Sequence, residues 1–120
     1  MNILIAEDNA FTAAQYAKAL HGMGHHVTIS RDGEECIQVY ENSLGDVSPF
    51  DVVLLDNNMP KRSGVEVAKE ILGKNPAQRI IFASAYNLNT LLKSPGTIPK
   101  TIEVLEKPFS LSTMIRAIEA

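Results

Sequence analysis

Four apolar residues in a row, Val52-Val53-Leu54-Leu55, run straight into an acid, Asp56, and Pro60 stops the segment soon after. No other stretch constrains the chain so strongly. A run this short and this apolar reads as a strand buried on both faces. Such a strand needs helices above and below it. Asp56 then stands where the strand leaves the core, the edge at which open parallel sheets bind ligands. An acid held there can be a nucleophile, a metal ligand, a helix cap or none of these, and the other strands decide which.

Four more short runs have strand character: Ile3 to Ala6, Val27 to Ile29, Arg79 to Ser84 and Ile102 to Leu105. Helical patterns lie between them. From about Ala10 to His21, Phe11, Ala14, Ala17 and Leu20 recur near helical spacing, with Ala13 and Tyr16 widening the stripe. Gly22 and Gly24 are stop residues. Asp32 reads as the N-cap of a second helix with Glu35 as its reciprocal partner; Cys36, Ile37 and Tyr40 form its buried face, and Glu41 to Phe50 a loop. Ser63 and Glu66 make the same capping box ahead of Val65, Ala68, Ile71 and Leu72. A short helix is expected around Leu88 to Leu92, cut off by Pro95, Gly96 and Pro99. Ser110 caps the last helix, Phe109 and Met114 staple it, and Leu111, Met114 (or Ile115) and Ile118 form its apolar face. Strand and helix alternate five times, which predicts an α/β fold: a parallel sheet with helices on both faces. The spacing does not give the strand order.

Length and charge bound the function. The 120 residues suit one domain, 1–120, with one core. A net charge of -3 gives no electrostatic case for nucleic acid binding. No window approaches the roughly 18 apolar residues of a membrane span, and the N-terminus lacks the pattern of a signal peptide. The single cysteine, Cys36, cannot form an internal disulfide, so a cytoplasmic setting is expected. His21, His25 and His26 read as solvated side chains, the last two facing opposite ways on a strand.

In a parallel sheet all strand ends of one sense share an edge. Glu7 and Asp8 follow the first strand, Asp56 ends the third, Ser84 the fourth, and Lys107 follows the fifth. The second strand, ending near Ser30, adds nothing obvious. Two unit charges about 4 Å apart repel by roughly 4 kcal/mol at an effective dielectric of ~20. Three carboxylates at one edge therefore call for a proton or a cation beyond Lys107. Oxygen donors without cysteine or histidine favour Mg²⁺ over Zn²⁺. Such a cation with Lys107 would attract a phosphoryl group, Asp56 could attack its phosphorus, and Ser84 could donate a hydrogen bond to one of its oxygens.

These residues resemble the receiver domain of two-component response regulators. The likeness covers the whole chain and rests on Glu7-Asp8, Asp56 with Met59-Pro60, Ser84 and Lys107-Pro108 in the family's order and spacing. It implies a flavodoxin-like sheet of order 2-1-3-4-5, an order already known for a member of this family, and Asp56 as phosphoacceptor. It further implies that Asp8 and Asp56 ligate Mg²⁺ directly, Glu7 through water and Asn58 through its backbone carbonyl. Ser84 and Lys107 would contact the phosphoryl oxygens, and the Lys107-Pro108 bond would be cis. The implied donor is a sensor histidine kinase or phosphotransfer protein, and the output an unidentified protein or effector domain. The implied role is signalling, with phosphorylation self-catalysed.

Two rival functions carry less. A pseudo-receiver would bind without turning over phosphate, yet every acceptor-site residue is present. A phosphohydrolase with an aspartyl nucleophile would need an acid at Asn58 and a cap domain. The chain departs from the resemblance in having Val104 where receivers carry Tyr or Phe, and in a short helix before the fifth strand. Output is therefore expected in the Ala85 to Thr101 segment.

Overall fold

The computed structural model describes residues 1–45, 49–57, 59–84 and 102–120. Its elements are β1 (Asn2–Ala6), α1 (Ala10–Gly22), β2 (His26–Ser30), α2 (Gly33–Ser43), β3 (Val52–Asp56), α3 (Gly64–Lys74), β4 (Arg79–Ser84), β5 (Ile102–Glu106) and α4 (Leu111–Glu119). The strands form one parallel sheet in the order β2-β1-β3-β4-β5. Ala6 lies opposite Leu55, Asp56 opposite Ala83 and Ser84 opposite Glu106, so the strand ends fall on one edge. The expected helix around Leu88 to Leu92, the Ala85 to Thr101 output segment and Asn58 lie outside the described residues.

Period two along each strand sorts the core into two layers. Leu4, Val53, Leu55, Ile80 and Phe82 face Cys36 and Tyr40 of α2 and Val67 and Ile71 of α3. Ile3, Ile5, Val52, Leu54 and Ile81 face Tyr16 and Leu20 of α1 and Met114 and Ile118 of α4. All five residues of β3 are buried, as a strand covered on both sides requires.

The helix starts follow the capping chemistry, with one change. Glu35 N–H donates to the Asp32 carboxylate at 2.8 Å, but the Glu35 carboxylate accepts from Arg31 N–H at 2.9 Å rather than from Asp32. Glu66 N–H donates to the Ser63 hydroxyl at 3.3 Å, and Thr113 N–H to that of Ser110 at 3.0 Å. Asn9, which no capping box marks, accepts from Thr12 N–H at 3.0 Å. The α2 helix continues to Ser43, so the loop begins later than Glu41.

The expected face of α1 needs correction. Its buried residues are Ala13, Tyr16, Ala17 and Leu20, while Phe11 is 71% exposed and Ala14 is exposed. Phe11 precedes Ala13 by two residues, or about 200° of helical rotation, so the two cannot share a face. In α3, Ala68 and Ile71 are buried as expected and Val67 joins them, while Val65 and Leu72 are half-buried. In α4, Leu111 is exposed and Met114 and Ile118 carry the packing.

Leu55→Ala should cost about 2–5 kcal/mol, since it empties a site with no solvent access on the central strand. Val104→Ala on the exposed edge strand should cost less than about 1 kcal/mol. Urea midpoints of the two variants measure the difference, and equal losses would contradict this core assignment.

Candidate functional site

Backbone pairing places the acids. The Glu7 N–H donates to Ser30 O at 3.0 Å, and the Ser30 hydroxyl donates to Ile5 O at 3.1 Å. Ser30, which carries no motif in the sequence, thus locks the end of β2 to the end of β1 just below the acid pair. Carboxylate oxygens of Glu7, Asp8 and Asp56 all lie within 4.8 Å of one another. Glu7 and Asp56 are buried and Asp8 is exposed, so the cluster is a rim with one open side.

Lysine and serine arrive from the far strands. Lys107 Nζ is 3.3 Å from Asp56 Oδ1, with the lysine side chain about a third exposed and that of Asp56 buried. The Lys107 N–H donates to Ser84 O at 2.8 Å, which joins the end of β4 to the turn after β5. Ser84 is itself buried at that edge. The Lys107-Pro108 bond is cis, as the resemblance implied. Glu7, Asp8, Asp56, Ser84 and Lys107 therefore do meet at one edge, while Asn58 falls outside the described residues.

The charge on this edge is unbalanced. Burial pushes the Glu7 carboxyl up to about 8, reinforced by its hydrogen bond to Asp56 and by the negative charge of Asp56; Lys107 opposes the rise and Asp8 adds to it. A carboxyl raised this far favours its protonated form at neutral pH, in which Glu7 donates to Asp56. The donor set is all oxygen and carries more negative charge than Lys107 offsets, which fits a hard divalent cation of the Mg²⁺ type.

The loop after Asp56 is held by two glycines that capping patterns do not reveal. Gly64 N–H donates to Asn57 O at 3.2 Å. A Cβ on Gly64 would stand 2.7 Å from Asp56 O and 2.9 Å from Asn57 Cα, inside contact distance. A Cβ on Gly33, the first residue of α2, would overlap the backbone carbonyl of Arg62. Lys61, between the two contacts, adopts a left-handed φ of 69° and sits 3.6 Å from the Asp32 carboxylate. The one signal in the sequence is glycine as the first residue of a helix, where its low propensity needs a reason.

Residues 3–119 match the family model described as the response regulator receiver domain. The chain belongs to this family. Response regulator RR06 of Streptococcus pneumoniae is 31% identical over 120 residues, covering 100% of this chain and 52% of that protein. Transcriptional regulatory protein PdtaR of Mycobacterium tuberculosis is 32% identical over 118 residues, covering 98% and 54%. This receiver thus spans about half the length of these curated relatives. Among solved structures, response regulator protein TrrA of Thermotoga maritima, in complex with Mg²⁺ and beryllofluoride, superimposes with a TM-score of 0.81 at 25% identity, covering 98% of this chain and 96% of that one. Among the described residues of this receiver, no helix is long and apolar enough to cross a membrane.

The raised Glu7 carboxyl makes stability pH-dependent. Its folded value near 8 exceeds its ordinary 4.5, so the folded state holds the proton more tightly than the unfolded state. That contribution is complete below about 4.5, fades as pH rises and is gone above about 8. In cation-free buffer the urea midpoint of the wild type, taken relative to Glu7→Gln, should fall between about pH 5 and pH 8 and then level off. A difference that rises with pH would reverse the sign and remove the assignment.

Proposed function

We propose that this receiver accepts a phosphoryl group on Asp56 from the phosphohistidine of a sensor histidine kinase or phosphotransfer protein, and that the phosphorylated form changes a surface read by an output protein or effector domain. The observation that carries this reading is the seat of Asp56: the last residue of a fully buried strand, 3.3 Å from an ammonium and within 4.8 Å of two further acids. Family membership and the Mg²⁺-beryllofluoride form of TrrA support it.

In the transfer, an Asp56 carboxylate oxygen forms a bond to phosphorus as the bond from phosphorus to the donor imidazole nitrogen breaks. The electron pair of that bond stays on the imidazole. Rigidity serves this step, because a carboxylate fixed at the tip of β3 is presented without a search over backbone conformations. Lys107, already at Asp56, is in place to pair with a phosphoryl oxygen. The Ser84 hydroxyl, at the end of the neighbouring strand, would donate to another. The carboxylates of Asp8 and Asp56 would hold Mg²⁺, with Glu7 acting through water and Asn58 through its carbonyl, and the bound ion would supply positive charge against the phosphoryl oxygens.

Acetyl phosphate with Mg²⁺ should add one phosphoryl mass to the wild type and none to Asp56→Asn, as read by intact-protein mass spectrometry. Equal labelling of the variant would exclude Asp56 as the acceptor. Lys107→Ala should still bind Mg²⁺ at least as tightly as wild type, because a competing cation is gone, yet take up phosphoryl groups more slowly. Weaker Mg²⁺ binding by that variant would argue against the role given to Lys107.

A further inference from the structure

Beside the acid cluster, on the side of α1, lies a cavity of about 400 Å³. Glu7 and Lys107 form part of its wall, Asn9 and Thr12 add polar groups, and Tyr16 and Phe109 supply the aromatic surface. Tyr16 sits in the buried face of α1, two turns beyond the acid pair. Side chains on a helix lean toward its N-terminus, and here that direction leads back to the acids. Ala13, one turn nearer the site on the same face, carries only a methyl group and leaves the path open. The Tyr16 ring stacks on Phe109, with centroids 5.9 Å apart and planes at 24°. Phe109 follows directly on the Lys107-Pro108 pair.

We propose that Tyr16 is a positioning residue of the phosphorylation site, its ring holding the Lys107 to Phe109 turn and its hydroxyl reaching Glu7 through water in the cavity.

Three observations converge on this reading, which rests on Asp56 being the phosphoacceptor. First, Lys107 reaches Asp56 from a turn attached on one side to Ser84 O and on the other to the Tyr16 ring through Phe109. Without the ring, the turn loses this contact with α1. Second, Tyr16 lines the same cavity as Glu7, Asn9 and Thr12, and that cavity is both polar enough and roomy enough for bridging water. Third, the phenol senses the site: burial, followed by the charges of Glu7 and Asp56, pushes the Tyr16 hydroxyl up to about 12. It therefore remains a neutral donor across the physiological range and faces groups that accept. Hydrogen-bonded neighbours of metal-holding carboxylates commonly tune the affinity of the site.

Two variants separate the ring from the hydroxyl. Tyr16→Phe retains the stack and loses only the oxygen; Tyr16→Leu loses both. Mg²⁺ titration of the unphosphorylated protein reports on Glu7. Beryllofluoride binding in saturating Mg²⁺ reports on Lys107, and circular dichroism confirms that each variant is folded. Tyr16→Phe should weaken Mg²⁺ binding by about two- to tenfold, the range of one modest hydrogen bond, with beryllofluoride affinity unchanged. Tyr16→Leu should weaken both. Wild-type Mg²⁺ affinity in Tyr16→Phe would overturn the part given to the hydroxyl. Wild-type beryllofluoride affinity in folded Tyr16→Leu would overturn the part given to the ring, and an unfolded Tyr16→Leu would assign the ring to the core instead. A wild-type protein that takes up no beryllofluoride would fail at the level of Asp56, not of Tyr16.

Discussion

Like charges forced together at the end of a buried strand set the terms for the rest of this molecule. Glu7, Asp8 and Asp56 could spread apart on a flexible loop. They cannot do so here, because β1 and β3 are adjacent strands whose register is fixed by the core beneath them. Slipping either strand by one residue would move its apolar side chains from one packed layer to the other. The hydrophobic core thus holds the acids against their repulsion. Burial first, then the hydrogen bond to Asp56 and the charge of Asp56, raise the Glu7 carboxyl far above its ordinary range. Stability and function pull in opposite directions at this edge, as they do wherever a site stores unfavourable electrostatics for later use.

Much of this arrangement is legible in the chain. Five apolar runs ending in polar residues are enough to predict a parallel sheet and to bring Glu7, Asp8, Asp56, Ser84 and Lys107 to one edge. The strand order comes from the family resemblance, because connection lengths are compatible with several orders. Capping boxes are readable because a side chain three residues from its partner is a local event. Periodicity misplaces the face of α1 for the same reason that local signals succeed elsewhere. Phe11 is the largest apolar residue in the first turn, and periodicity weighs a residue by hydrophobicity without knowing which side the sheet lies on. The sheet selects Ala13 and Tyr16.

Tyr16 and the two loop glycines are harder to read for a different reason. Their importance depends on what approaches them from elsewhere in the chain. Tyr16 looks like one more core aromatic until Phe109 and Glu7 are seen around it, at separations that no local pattern spans. Gly64 looks like a poor helix former until the carbonyl of Asp56 occupies the space of its missing side chain.

Gly33 makes a parallel contact with a mechanical outcome. Backbone rests on backbone where the start of α2 meets Arg62 in the loop that follows β3. Contacts between long side chains act as soft springs, since rotamers can absorb small motions. Two main chains pressed together have no such slack. A displacement of the loop that follows Asp56 must either carry the start of α2 with it or separate the two surfaces, breaking the contact of Gly33 N–H with Pro60 O at 3.4 Å. The second helix is thereby a stiff lever on the loop after Asp56, on the side of the sheet opposite α4.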